Sequence, residues 1–308
     1  MRSSRLFRSV AAAALLALVA GCGSSGSRPT GAAAAAAPGA TKSGSATAPD
    51  PSAAAASAGP NAPEGGPGAG LPESAAAGTG VPESVSAALA ALPPDLRARI
   101  PRFPPAPAAT RVALPGGDKA AFFSHIPTTQ KVAFITIDDG WAKNPLALRL
   151  FQAANVPVTL FLEVDAIKDD PGYFTPLKAA GATIENHTIT HATMTRLSYP
   201  GQKREICGGA DRLAQLYGDR PTLFRPPGGA YNGTTLRAAH DCGMKAVFNW
   251  TQTTDHGKIF YQGTPKVVKP GDIILMHFRP RFVDDFLAVL EAIHKNGLTP
   301  ARLEDYIP

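Results

Sequence analysis

The chain has 308 residues, and its 30 Lys and Arg against 24 Asp and Glu give a formal charge of +6. The excess is dispersed: residues before Arg111 carry 8 basic against 5 acidic side chains, and the remainder carry 22 against 19. That balance gives no electrostatic footprint for nucleic acid, and the length leaves room for one or two domains.

Arg2, Arg5 and Arg8 precede the apolar run Val10 to Ala20. The run is too short to span a bilayer comfortably, so residues 1–21 are expected to be an export signal. Val19-Ala20-Gly21-Cys22 resembles the lipobox of bacterial lipoproteins, which implies cleavage before Cys22 and a lipid on that cysteine. Ordinary secretion with an incidental cysteine is the alternative. Between Gly23 and Gly80 the only branched aliphatic residue is Leu71, among Ala, Gly, Pro, Ser and Thr. Such a segment cannot bury enough apolar surface to offset its ordering entropy, so residues 22–84 are predicted to form a disordered tether. A flexible coil of roughly sixty residues has a root-mean-square span of about 45 Å. The expected location is the outer face of the cytoplasmic membrane, with the membrane engaged only through the anchor.

Residues 85–130 hold short apolar pieces among prolines and read as a helical turn or two leading into an extended arm. Regular patterning fills residues 131–308. VAFITI (132–137) is a buried strand, Pro145 to Ala154 has helical spacing, and VPVTLFLEV (156–164) is a second strand. A short helix over Tyr173–Ala180 precedes the strand ATIENH (182–187), and Gly201 to Tyr217 is helical. TLFRP is a strand, Thr234–Cys242 a helix, KAVFNW and DIILMHF strands, and Asp284–Asn296 a helix. Continuous apolar strands alternating with helices predict an α/β fold with a parallel sheet, and so many units suit a barrel. Cys207 and Cys242 remain in this exported part, as a disulfide or as free buried thiols. A bond would be worth about 3–4 kcal/mol in the chain-entropy model.

In barrels the chemistry sits where strands end. Asp138 and Asp139 follow VAFITI, His187 and His191 follow ATIEN, Arg225 follows TLF, Trp250 to His256 follow KAVFN, and His277 follows DIILM. Two adjacent carboxylates repel each other unless a cation or hydrogen-bond partner compensates. Two imidazoles at i and i+4 share a face on a helical turn. With one carboxylate they make the ligand set of hydrolytic zinc, although surface histidines share that spacing. One acid of the pair then holds the metal and the other acts as base towards water, with Arg225 to keep that base ionised. His277 reads as a general acid for the leaving group, with a core histidine as the alternative.

TIDDG (136–140), HTITH (187–191), RPPGG (225–229), NWTQTTDH (249–256) and LMH (275–277) together resemble the five motifs of the polysaccharide deacetylase family, the NodB-homology domain of carbohydrate esterase family 4. The resemblance implies a distorted (β/α) barrel over residues 131–308 and a divalent metal, most often Zn2+. It also implies hydrolysis of N-acetyl groups from N-acetylglucosamine-containing cell-wall polysaccharide such as peptidoglycan. It makes Asp138 the base, Asp139, His187 and His191 the metal ligands, Arg225 the partner of the base, and His277 the acid. The backbone near Gly228 becomes an oxyanion donor, and Trp250, Asp255 and His256 fall at the substrate pocket. The fourth motif departs from D-x-x-D-W: Gln252 stands where an aspartate would tune the acid histidine, and His256 where a tryptophan would wall the pocket. Trp141, Tyr231 and Trp250 are the aromatic candidates for sugar contact. An O-acetyl esterase acting on xylan or another acetylated glycan, and a catalytically weak carbohydrate-binding lipoprotein, are the other readings. A monomer without a nucleic-acid partner is expected.

Overall fold

A computed structural model describes residues 83–308; the expected export signal, Cys22 and the chain up to residue 82 lie outside the described residues. Two short helices, α1 (Glu83–Ala90) and α2 (Pro94–Ala98), come first. They are followed by β1 (Ala121–Phe123), β2 (Val132–Asp139), α3 (Ala147–Ala154), β3 (Thr159–Leu162), α4 (Val164–Ile167), α5 (Phe174–Ala179) and β4 (Thr183–Asn186). Next are α6 (Tyr199–Tyr217), β5 (Leu223–Phe224), α7 (Gly233–Asp241) and β6 (Ala246–Phe248). The hairpin β7 (Gln252–Asp255) and β8 (Lys258–Tyr261), then β9 (Ile273–His277), α8 (Phe282–Lys295) and β10 (Thr299–Pro300), complete the order. Among the described residues, no helix is long and apolar enough to cross a membrane.

The strands form one curled sheet in the order β1-β6-β5-β4-β3-β2-β9-β7-β8, with β10 on the lower end of β2. Pairing is parallel throughout except in the β7–β8 hairpin. An isolated bridge between His125 and Asp272 ties the chain after β1 to the start of β9 and draws the ring nearly closed. This is the distorted barrel expected from the sequence.

Period-two alternation explains why apolar strands end in polar chemistry. On β2, Ala133, Ile135 and Ile137 face the helical layer, where Leu150, Phe151, Phe282, Phe286 and Leu290 cover them. Val132 and Phe134 face the interior with Phe161, Phe248 and Tyr306. The same inward face then carries Thr136 and Asp138, so the acid stands above a plug of aromatic rings. A third apolar cluster seats α6 and α7 on β5 and β6 through Ile206, Ala210, Ala238, Phe224 and Val247. Cys207 of α6 and Cys242, at the end of α7, are disulfide-bonded with Cα atoms 4.9 Å apart.

Two expectations about organisation change. The arm over residues 85–130 is part of the fold: it supplies β1, paired with β6, and α1 buries Val85 and Leu89 in the cluster of Phe151. Helix α1 also begins at Glu83, inside the expected tether. The stretch after Trp250 is a hairpin. Its two-residue turn, His256 (φ 52°) and Gly257 (φ 71°), has the left-handed backbone that tight hairpins require.

Candidate active site

Asp138 is held from below. Arg225, placed by the end of β5, is wholly buried, and its Nη1 donates to Asp138 Oδ1 at 2.7 Å and to Thr136 Oγ1 at 2.8 Å. Its guanidinium lies 4.3 Å from the centre of the Phe161 ring. The buried guanidinium compensates the charge of the Asp138 carboxylate and leaves that side chain as an acceptor lining the cavity.

Asp139 turns the other way because the strand ends there. Its φ of 73° is left-handed, unusual outside glycine, and it breaks the alternation that would send the side chain into the helical layer. Gly140 follows at φ 121°, and a Cβ there would sit 2.5 Å from Ile167 Cγ2. Asp139 Oδ1 lies 3.5 Å from His187 Nε2 and 3.5 Å from His191 Nε2. Burial, then the charge of Asp138, pushes the Asp139 carboxyl above the usual carboxylate range, while His187, His191 and Arg279 pull it back.

The histidine segment 187–191 is not a helical turn, in contrast to what the i, i+4 spacing suggests. It is a loop with Thr188 at φ 75° and His191 at φ 56°, folding the two rings to 5.0 Å between centroids. Side chains from outside the motif hold it. Glu205 of α6 accepts from the N–H groups of Ile189 (3.1 Å) and Thr190 (3.0 Å), and from the Thr190 hydroxyl. Asn186 accepts from the Thr188 N–H at 3.0 Å, and Thr188 Oγ1 from the His191 N–H at 3.1 Å. Helix and loop approach so closely that a Cβ on Gly209 would meet Asn186 Oδ1 at 2.5 Å.

The donor atoms of Asp139, His187 and His191 all lie within 4.8 Å of one another. Asp139 Oδ1 is buried without a hydrogen-bond partner. His187 Nδ1 contacts the Arg225 carbonyl at 2.7 Å, and because a carbonyl only accepts, Nδ1 carries the proton and Nε2 is left as a lone-pair donor towards Asp139. Two imidazoles and a carboxylate, one imidazole fixed by a carbonyl behind it, fit a divalent metal of the zinc type.

A cavity of about 550 Å³ opens above these groups, and Gly228, Trp250, Asp255 and His277 also line it. Gly228, at φ 60° in the turn Pro227–Gly229, brings bare backbone to the cavity. His277 ends β9 beside Asp138 on β2. Its Nδ1 is buried without a partner, leaving Nε2 as the nitrogen for the cavity. Burial lowers the His277 imidazole to about 4, against the opposing pull of the Asp138 charge.

The fourth motif needs correction at two positions. His256 sits at the hairpin tip, largely exposed and paired with Asp255 at 2.9 Å, and does not line the cavity. Gln252 pairs with Ile274 in the sheet, below His277, and its amide donates to Asp272 at 2.6 Å. Gln252 therefore does not tune His277. Tyr231 stacks on Phe122 at 4.1 Å and is not in the cavity lining. Sequence reasoning missed Thr136, Glu205, Arg279 and Phe260. Alternation along β2 signals Thr136; Glu205 carries no sequence signal, since only tertiary packing brings α6 to the loop.

The polysaccharide deacetylase family model matches residues 125–247. An uncharacterized protein of Streptomyces coelicolor is 37% identical over 188 residues, covering 59% of this chain and 76% of its own length. A peptidoglycan-N-acetylglucosamine deacetylase of Bacillus cereus is 27% identical over 185 residues, covering 56% of this chain and 86% of its own. Among solved structures, a CE4 family pseudoenzyme from Bacillus anthracis superposes with a TM-score of 0.54 at 21% identity, over 61% of this chain and 69% of its own. That last likeness shows the fold alone.

Proposed function

Because the chain belongs to the polysaccharide deacetylase family, we propose that it is a metal-dependent hydrolase removing N-acetyl groups from N-acetylglucosamine-containing cell-wall polysaccharide, peptidoglycan or a related polymer. The observation that carries this reading is the ion pair of Asp138 and Arg225 directly beside the Asp139–His187–His191 cluster, in one cavity with His277. The fold also occurs in a protein described as a pseudoenzyme, so the argument rests on these side chains and not on architecture.

A divalent metal, zinc by the chemistry of its donors, held by Asp139, His187 and His191 would polarise the acetyl carbonyl and make water more acidic. Asp138, paired with Arg225, accepts the proton of the attacking water. The Gly228 N–H donates to the oxygen that becomes anionic as the carbonyl carbon turns tetrahedral. His277, which must first take up a proton on Nε2, passes it to the departing amine nitrogen, and the products are acetate and the free amine.

The Bacillus cereus relative named for peptidoglycan supports a wall substrate. So does the lipobox-like Cys22, which would keep the domain at the outer face of the membrane within a tether's reach of the wall. The test is acetate release from N-acetylglucosamine oligomers, peptidoglycan and acetylated xylan in parallel, with and without zinc, and with Asp138→Asn as blank. Zinc-dependent release from the amide substrates is expected. Release from xylan alone would make the protein an ester hydrolase, and zinc binding with no release from any substrate would make it a binding protein.

A further inference from the structure

Phe260 is a large apolar side chain 52% exposed on an edge strand, yet it lines the catalytic cavity. An exposed aromatic on a sheet edge is an aggregation hazard that folds ordinarily avoid. Its place is set by register. Leu275 of β9 pairs with Thr253 of β7, and Thr253 with Phe260 of β8, so the three side chains form one row across the same face of the sheet. All three line the cavity. The hairpin also fixes Trp250: with its amide turned towards the indole, Gln262 accepts from Trp250 Nε1 at 2.7 Å and donates to the Trp250 carbonyl at 3.0 Å. One hairpin thus presents two aromatic surfaces to the cavity, Trp250 at its base and Phe260 on its outer strand.

From this row we propose that Phe260 is a stacking platform for a pyranose ring of the glycan other than the one losing its acetyl group. The proposal rests on the glycan reading above and adds a subsite to it. Phenyl offers no proton, charge or lone pair, so it can take no part in hydrolysis. Its electron-rich face does suit the C–H groups on the flat side of a pyranose. Its place on the outer strand sets it to one side of the reacting sugar. From β2, which carries Asp138 and Asp139, across β9 and β7 to β8 is three strand spacings, about 14 Å along the curled sheet. That is farther than a single pyranose spans, so a ring on Phe260 belongs to a neighbouring residue of the same chain. The protein would accordingly favour polymer over short fragments, with discrimination residing in the hairpin.

The test compares wild type with Phe260→Ala and Phe260→Trp on monomeric N-acetylglucosamine, N-acetylglucosamine pentamer and 4-nitrophenyl acetate. Phe260→Ala is expected to raise KM for the pentamer about tenfold, the scale of one aromatic stacking contact. Its kcat should stay within about twofold, its kinetics on the monomer and the small ester should not change, and Phe260→Trp should restore pentamer affinity. Calorimetric titration of the pentamer into each protein carrying Asp138→Asn in addition reads the same contact without turnover. If wild type released no acetate at all, the deacetylase reading would fall while a tenfold weaker pentamer affinity in Phe260→Ala would still support the platform. Equal effects on monomer and pentamer, or no effect on pentamer affinity or KM, would overturn it.

Discussion

Arg225 Nη1 and Asp138 Oδ1 meet at 2.7 Å in a site where both side chains are excluded from water. The contact links β5 to β2, which are not neighbours in the sheet, so it crosses the barrel interior. Breaking such a pair from one side leaves an uncompensated buried charge, at a cost of about 3–5 kcal/mol. Arg225→Met should lose activity and about that much stability. Adding Asp138→Asn to Arg225→Met should recover much of the stability and none of the activity. Denaturant unfolding of the four proteins forms the cycle, and strictly additive losses would show that the pair is not coupled.

Asp138 and Asp139 are adjacent in sequence but separate in role, which predicts a clean division between variants. Asp138→Asn should bind zinc with wild-type stoichiometry and release no acetate. Asp139→Asn and His191→Ala should each lose zinc and activity together. Because a ligand bound only by the folded state adds about 2.7 kcal/mol at a hundredfold excess over its Kd, zinc should raise the melting temperature of wild type and of Asp138→Asn but not of His191→Ala. Zinc retained by His191→Ala would remove that residue from the ligand set.

The loop that aims His191 depends on Glu205, a residue of α6 with no place in the motif. A carboxylate that accepts two backbone N–H groups and a hydroxyl fixes the left-handed turn at His191. Glu205→Gln keeps one accepting oxygen and should weaken zinc binding less than Glu205→Ala. For the alanine variant a loss of 10–100-fold in zinc affinity is expected, about the range for residues that support metal ligands from behind. Direct zinc titration checks this, and a melting temperature lowered equally in both variants with unchanged zinc affinity would assign Glu205 to packing alone.

Asp138, Asp139, Arg225 and His277 were legible in the sequence because each ends a run of apolar residues, and the barrel gathers strand ends. The pairing of His187 with His191 was legible, but its geometry was not. Spacing of four suggests one face of a helix, whereas hydrogen bonds from Glu205 and Asn186 hold an irregular loop, and long-range partners leave no local pattern. The hairpin was missed for a similar reason. His-Gly is not the Asn-Gly or Asp-Gly pair that announces such a turn, and QTTD has no apolar residue to show a period-two pattern. The motif resemblance alone set Gln252 where it would tune His277, whereas the sheet register sets it against Ile274. β1 escaped notice because three residues are too few to show a period.

Buried titratable groups around the site impose opposing pH dependences on the metal-free protein. Burial lowers His187 and His277 each to about 4 from an ordinary 6.5. The folded state therefore keeps them neutral where the unfolded chain would take up protons, and their contribution, complete above 6.5, is lost as pH falls towards 4. Glu163, which follows β3, behaves oppositely. Burial, then the charges of Asp139 and Asp165, raises it to about 7 from 4.5, and its Oε2 is buried without a partner. Its contribution is complete below 4.5 and is lost as pH rises through 7, because the folded protein must then hold a buried carboxylate. Between 4.5 and 6.5 the two slopes partly cancel, so wild type alone does not separate them. Glu163→Gln removes one: relative to wild type, the variant should gain melting temperature from pH 5 to about pH 7 and level off towards pH 8, while both proteins still lose stability as acid reaches the histidines. A difference between the two proteins that is constant across that range would mean that Glu163 is ionised in the folded state throughout.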